Sequence, residues 1–106
     1  MDFWNFTSKE MVIEYSPHGK LVKMLLFPAE FGGEDLSHNI VYVPPGIPDI
    51  NDQITATLMR FFKEGRINKL DVKPEYTGNS FVPSKIRMKA WHSDKQGSFE
   101  PCIDIW

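Results

Sequence analysis

Histidine and cysteine side chains are the first candidates for chemistry in this chain. The sequence contains three histidines and one cysteine, at His18, His38, His92 and Cys102. No two histidines form a His-x-His or His-x-x-x-His pair, whereas a structural zinc site normally takes four protein ligands. We therefore predict no metal site and no bound cofactor, and we assign no catalytic residue.

Cys102 and His92 are the one pair that could serve as nucleophile and base. The segments around residues 91–92 and 98–102 are expected to be neighbouring strands, which could bring thiol and imidazole together. A reactive thiolate needs a lowered pKa and an accessible position, whereas a cysteine inside a strand is more often a small buried filler. We expect the filler role, and a small enzyme that uses His92 and Cys102 is the third functional hypothesis.

A strand with basic residues on one face is the second candidate. Residues 84–91 show the clearest alternation in the chain, with apolar and polar side chains on opposite faces. The candidate binding surface comprises the polar row and its neighbour: Lys85, Arg87, Lys89, Trp91 and His92. Cations beside an aromatic ring suit single-stranded nucleic acid, because phosphates pair with the cations while a base stacks on the ring. A nucleic-acid-binding module is therefore the second hypothesis.

The evidence for nucleic acid is limited by composition. Recognition sheets usually present several stacking aromatic residues, and this strand has one. The isoelectric point of 5.9 also lacks the strong basic excess of such modules. We expect an ordinary solvated strand face more strongly than a nucleic-acid surface.

Formal charge is nevertheless spread unevenly along the chain. Residues 1–58 contain three Lys and eight Asp or Glu, a net of −5, whereas residues 59–95 contain nine Lys or Arg and four Asp or Glu, a net of +5. Residues 96–106 add Glu100 and Asp104, and the whole chain carries −2. Such asymmetry can orient an encounter with a charged partner.

One helix is predicted over about residues 49–64, because its first residue, its apolar face and its last residue all fit a helix. Its apolar residues fall within roughly 120° of arc on a helical wheel: Ile50, Ile54, Leu58, Phe61 and Phe62. Asp49 is the predicted N-cap, and Gly65 suits the left-handed residue that closes a helix. Such a stripe needs a broad apolar surface to cover, and a sheet is the natural partner.

The rest of the chain has the alternation and turn residues of strands. Three strands are expected before the helix, at residues 11–15, 20–27 and 39–43, and three after it, at residues 67–73, 84–91 and 99–105. Pro74 is expected to end the fourth, because proline cannot donate to the ladder. The order βββ-α-βββ predicts one α+β domain over residues 1–106, a mostly antiparallel sheet of five to six strands with the helix packed on one face.

Three aromatic residues, Phe3, Trp4 and Phe6, lie close to the N-terminus. A helix about 10 Å across covers roughly two to three strands spaced about 4.8 Å apart, so part of the sheet needs another cover. We expect these aromatic residues to provide it, with a partner or a second copy of the chain as the alternative.

Composition describes an ordinary soluble globular protein, with 106 residues, 42% hydrophobic and 25% charged. One cysteine excludes an internal disulfide and fits a reducing compartment. The first ten residues lack a basic segment and an apolar run, and no apolar run is long enough to span a membrane. We therefore expect a cytoplasmic location and no membrane partner.

The first functional hypothesis is a small non-enzymatic module that binds another protein, comparable in role to inhibitor, immunity or adaptor proteins. An uncovered sheet face and the uneven charge favour it, and no sequence motif carries a specific chemistry. The sequence leaves the identity of the partner and the formation of a homodimer open.

Overall fold

Six strands and one α-helix form the described part of the chain, residues 21–106 of this computed structural model. The elements in chain order are β1 Val22–Leu25, β2 Ile40–Val43, α1 Ile47–Lys63, β3 Lys69–Glu75, β4 Lys85–Trp91, β5 Ser98–Phe99 and β6 Cys102–Asp104. Two 3₁₀ turns, Ala29–Phe31 and Ser37–Asn39, lie between β1 and β2. Within residues 21–106 the predicted α+β class, with one helix and antiparallel sheets, is confirmed. The strand predicted at residues 11–15 and the aromatic residues Phe3, Trp4 and Phe6 lie outside the described residues.

The described strands divide into two antiparallel sheets. β1 pairs with β2, with Val22 opposite Val43. The second sheet centres on β4, which has β3 on one side and both β5 and β6 on the other. The single strand predicted at residues 99–105 is therefore two short strands. Pro101 lies between them, and its carbonyl still accepts a 2.9 Å hydrogen bond from the Met88 N–H.

Pro74 lies inside β3, so the prediction that it ends the strand is wrong. Pro74 is opposite Ile86 in the β3–β4 register. Two residues further along β4, Met88 directs its N–H away from β3, toward Pro101. In an antiparallel pair, residues two apart on a strand direct their backbone N–H groups to the same side, so Ile86 also directs its N–H away from β3. Its partner Pro74 correspondingly points its backbone nitrogen away from β4. Since β4 is the one described neighbour of β3, the missing N–H costs no ladder hydrogen bond.

The helix begins earlier than predicted and ends as predicted. Gly46 is the N-cap, with φ of +100°, and no side chain caps this end. The N-cap role predicted for Asp49 is therefore wrong, and Asp49 lies in the first turn, where its charge favours the helix dipole. At the other end Gly65 has φ of +73° and donates to the Phe62 carbonyl at 3.1 Å, while Arg66 donates to Phe61 at 2.9 Å. This pair of hydrogen bonds is the Schellman ending that glycine favours.

The buried face of α1 is rotated relative to the predicted stripe. The buried residues are Ile47, Asn51, Thr55 and Leu58. Ile54 and Phe61 are half-buried against the core, whereas Ile50 is 44% exposed and Phe62 is 52% exposed. The prediction that Ile50 and Phe62 lie on the packed face is wrong, because the core contacts the side of the helix that carries Ile47.

One core joins the helix and both sheets. Its buried members come from the helix, both sheets and the connection between α1 and β3: Met24, Val41, Val43, Ile47, Leu58, Ile67, Ile86, Met88, Ala90 and Ile103. A second, smaller cluster surrounds Leu21 and Val82, with Tyr42 and Trp106 packed against it. The second cluster lies beside the β3–β4 connection, which contains Val82.

The position of the buried helix face can be tested by two truncations. Leu58 is fully buried, so Leu58→Ala should lower the free energy of unfolding by about 2–5 kcal/mol. Phe62→Ala should cost less than about 1 kcal/mol, because the ring is half exposed and its main described contact is an edge-on approach to Phe31. Urea denaturation measures both, and equal losses would contradict the rotated face.

Candidate functional site

The predicted polar face of β4 is present. Its inward residues, Ile86, Met88 and Ala90, are at most 2% exposed, so the intervening side chains point to the opposite face. Antiparallel register places polar residues of the neighbouring strands beside them. Glu75 of β3 and Asp104 of β6 both lie opposite Lys85, and Lys73 lies opposite Arg87. The basic row is therefore surrounded by residues of both signs.

Two of the three cations in the β4 row are held in ion pairs. Lys85 Nζ lies 3.3 Å from Asp104 Oδ1, and Arg87 Nε donates to the Glu75 carboxylate. On β3, the Lys73 ammonium lies 3.6 Å from the Asp71 carboxylate. All of these side chains are substantially exposed, so each pair adds little stability. These ion pairs matter for the surface charge, because they neutralise two of the three cations of the predicted basic strand face.

The cations around Trp91 are arranged differently. Lys89 Nζ lies 5.6 Å from the centre of the Trp91 ring, a cation–π distance. Lys69 lies opposite Trp91 in the β3–β4 register, and Ser98 lies opposite it on β5. Within residues 21–106, neither lysine takes part in an ion pair. Asp71 lies opposite Lys89 in the register but pairs with Lys73. On this face of the sheet, the lysines without an ion pair among the described residues are therefore at the Trp91 end of β4.

His92 and Cys102 do not come together. Cys102 lies opposite Arg87, five residues along β4 from His92, which is about 16 Å at roughly 3.3 Å per residue. His92 Nδ1 accepts a 3.0 Å hydrogen bond from the Asp94 backbone N–H, as expected of a turn residue. The Cys102 thiol is exposed and donates to Asp104 Oδ1 at 3.9 Å, so the expectation of a buried filler is wrong. This geometry lacks the direct thiol–imidazole contact that the enzyme hypothesis requires.

The exposure of Cys102 gives a simple test. A thiol reagent such as 5,5′-dithiobis(2-nitrobenzoic acid) should label the native protein with one equivalent per chain, without denaturant. Cys102→Ser should abolish labelling, while His92→Gln should leave its rate unchanged, because the imidazole is too distant to activate the thiol. Labelling that required urea would contradict the exposed position of this side chain.

An aromatic loop, residues 76–84, forms a surface that the sequence interpretation did not select. Tyr76 is 46% exposed and Phe81 is 48% exposed. Both line an open cleft of about 680 Å³, together with Gly78, Asn79 and Ser80. The sequence feature that could have indicated this surface is a pair of aromatic residues, Tyr76 and Phe81, on either side of a Gly-Asn turn. Sequence alone could not show that both rings remain half exposed.

Hydrogen bonds hold this aromatic loop in place. Ser84 N donates to the Glu75 carbonyl at 2.8 Å, and the Thr77 hydroxyl donates to the Ser84 hydroxyl at 2.9 Å. The C-terminal residues add a second set, since Ile105 N donates to the Ser84 carbonyl at 2.8 Å. Trp106 Nε1 also donates to the Val82 carbonyl, at 3.0 Å.

The base of the aromatic loop is buried, although its two rings are not. The buried residues are Ser80, Val82, Pro83 and Ser84. Buried Ser80 accepts a 3.1 Å hydrogen bond from the Val82 N–H through its hydroxyl. The loop is therefore a fixed structure that carries Tyr76 and Phe81 on its surface.

The environment of Tyr76 is partly desolvated. Burial of part of the side chain raises the pKa of Tyr76 above its ordinary value of 10.0. The phenol is therefore neutral at physiological pH. As pH rises above 10, an unfolded tyrosine ionises before this one does, so the folded state loses stability in that range. Tyr76 thus presents an uncharged ring with a hydroxyl that can form hydrogen bonds.

A second cavity, of about 190 Å³, lies where the end of α1 meets β4 and β5. Its lining combines three aromatic rings with one cation and several small or polar residues: Phe61, Arg66, Ile67, Ala90, Trp91, Gln96, Gly97, Ser98 and Phe99. Phe61 and Phe99 meet edge to face, with ring centres 5.3 Å apart. Trp91 is the one member of the predicted surface that lines it.

The chain matches no protein-family model, and no curated protein or solved structure is significantly similar to it. Within residues 21–106, no three His, Cys, Asp or Glu side chains cluster in a way that could hold a metal ion. No helix in the same residues has the length and apolar character needed to cross a membrane.

Proposed function

We propose that this protein is a non-enzymatic binding module whose partner is another protein, with the aromatic loop as its contact surface. The observation that supports the proposal is the presentation of Tyr76 and Phe81, both about half exposed, in the lining of one open cleft. Aromatic side chains of this kind are enriched at the centres of protein interfaces, where they supply most of the binding energy.

The rigidity of the loop supports the same proposal. Ordering a flexible loop on binding costs free energy, which lowers the affinity. Here that ordering is already present in the free chain, through the Ser84 and Thr77 hydrogen bonds and the burial of Val82. An aromatic ring fixed in an exposed position is preorganised to receive a partner.

The charges beside the loop indicate what kind of contact it makes. Glu75 precedes the loop and is paired with Arg87, while Lys85 follows it and is paired with Asp104. These pairs leave the rim without net charge, so attraction between opposite charges does not select the partner. We propose that the partner inserts an apolar side chain between the two rings and pairs with the polar groups of Asn79 and Ser80.

The open form of the cleft favours a protein over a small molecule. Pockets for small ligands enclose most of the ligand surface and are lined by converging polar groups. The described lining of this cleft is five residues of one loop, which leaves it open to solvent. We further propose a cytoplasmic location, which the exposed thiol of Cys102 supports, because such a thiol persists in a reducing compartment.

The proposal is tested by removing both rings. Tyr76→Ala with Phe81→Ala should weaken capture of the partner from an extract of the source cells by at least about 30-fold, as loss of an interface hot spot does. Phe62→Ala is the matched control, because its ring is equally exposed at another site. Quantitative mass spectrometry of the retained proteins gives the readout, and circular dichroism confirms that both variants fold.

Two outcomes separate the alternatives. A set of retained proteins that is the same for the double variant and the wild type would refute the aromatic loop as the contact surface. If the partner is a second copy of the chain, analytical ultracentrifugation should show a dimer for the wild type and for Phe62→Ala, and a monomer for the double variant.

A further inference from the structure

Two segments that contribute to the lining of the 190 Å³ cavity, residues 60–69 and 89–95, carry six cations, and they lie at the end of β4 away from the aromatic loop. We call this group the basic end, and it consists of Arg60, Lys63, Arg66, Lys69, Lys89 and Lys95. Glu64 and Asp94 are the acidic residues in the same segments, so the basic end carries a net +4 in a chain whose total is −2. The chain as a whole is slightly acidic, but this region of it is positively charged.

Contacts place four of these cations beside the rings of the cavity or at the end of α1. Arg60 and Arg66 each have the guanidinium carbon over the Phe61 ring, at 5.3 and 5.5 Å from its centre. Lys95 Nζ donates to the Gly65 carbonyl at 2.9 Å, which ties the β4–β5 turn to the end of α1. Lys89 Nζ lies over the Trp91 ring, which lines the cavity.

Part of this charge has a structural role. The C-terminus of a helix carries a partial charge of about −0.5, which cations such as Lys95 stabilise. Arg66 Nε also lies 3.2 Å from Glu64 Oε1. The helix end and the two acidic residues together still leave an excess of more than three positive charges. That excess lies in the segments beside a cavity lined by aromatic rings.

The cavity itself points to a flat ring as the occupant. A volume of about 190 Å³ is too small for a whole drug-sized ligand, whose pockets are about 300–1,000 Å³, but it can admit one planar group. The Trp91 ring lines the cavity and provides a surface for stacking, while Phe61 and Phe99 add an apolar wall. Gln96 and the Gly97 backbone provide polar groups near the edge of such a ring.

We infer that the basic end binds single-stranded nucleic acid, with one base in the cavity beside Trp91 and the adjoining phosphates on the surrounding cations. Stacking on an aromatic side chain within a positively charged groove is the usual recognition mode for unpaired strands. An acidic peptide would satisfy the charges but would have no group that requires the ring surfaces. The base must leave its stack to enter the cavity, so a duplex is a poorer ligand.

This inference differs from the strand surface predicted from sequence. Lys85 and Arg87 belong to ion pairs at the far end of β4 and take no part. Arg66 and Phe61, from the end of α1 and the residues that follow it, belong to the inferred site instead. It is also independent of the proposed protein contact, because the two sites share no residue.

Binding can be measured directly with a fluorescein-labelled ten-residue oligothymidylate. Fluorescence anisotropy in 20 mM NaCl should show saturable binding to the full chain. The logarithm of the affinity should fall with the logarithm of the salt concentration with a slope of about −2 to −3, as expected for three or four phosphate contacts on a single strand.

A triple substitution tests the cations. Arg66→Gln with Lys69→Gln and Lys89→Gln should weaken binding by at least 10-fold at 20 mM NaCl and should reduce the salt slope by about 2, or about 0.7 for each lost phosphate contact. Trp91→Leu should weaken binding by about 5- to 150-fold and leave the slope unchanged, because it removes stacking and no charge.

The matched control changes the same net charge elsewhere. Lys23→Gln with Lys85→Gln and Arg87→Gln removes three cations that lie outside the basic end, and it should leave affinity within about twofold. Equal weakening by the two triple variants would overturn the inference, since it would show attraction by overall charge alone. The Tyr76→Ala, Phe81→Ala variant should bind the oligonucleotide normally, which keeps failure of this site distinct from failure of the protein contact.

Three competitors decide whether a base occupies the cavity. An abasic strand of the same length, a duplex of the same sequence and polyglutamate should each compete at least 10-fold less well than the oligothymidylate. Equal competition by any of them would overturn the inference, as would the absence of wild-type binding at 20 mM NaCl. Equal competition by polyglutamate would show that the site binds acidic polymers in general, an acidic peptide included.

Discussion

The burial of one side of β4 is the constraint on which the rest of the structure depends. Ile86, Met88 and Ala90 are almost fully enclosed, and every other strand of the larger sheet pairs with β4. These three residues fix the register of the sheet. If β4 shifted by one residue, all three would become exposed and charged side chains would be buried in their place. The two candidate sites are at opposite ends of this strand, since the aromatic loop leads into Lys85 and the basic end surrounds Trp91.

The alternation of β4 could be predicted because it is local, but its electrostatic surroundings could not. Period-two spacing determines that Lys85 and Arg87 point outward whatever the rest of the chain does. Their partners, Glu75 and Asp104, come from two other strands, and Asp104 belongs to a short strand that begins after Pro101. The sequence therefore indicated a basic stripe where the folded sheet has ion pairs, and the unpaired charge lies at the Trp91 end.

The helix shows the same division between local and tertiary information. Its existence and its Gly65 ending follow from neighbouring residues, whereas its buried face depends on what packs against it. Asn51 illustrates the difference, because it is 6% exposed and its Oδ1 has no hydrogen-bond partner among the described residues. Such a group costs about 1–3 kcal/mol, so no polarity pattern would assign it to the core. The packing of Ile47 and Leu58 on the same side outweighs that cost.

The separation of the two candidate sites allows them to act independently. β4 spans seven residues, or about 20 Å, and effects at positions more than about 10 Å apart without shared partners usually add. The surfaces also differ in physical character, since the aromatic loop has a neutral rim and the basic end has a net +4. Salt should therefore weaken binding at the basic end far more than at the aromatic loop. A protein and a nucleic-acid strand could then occupy the same chain together, each held by a different kind of interaction.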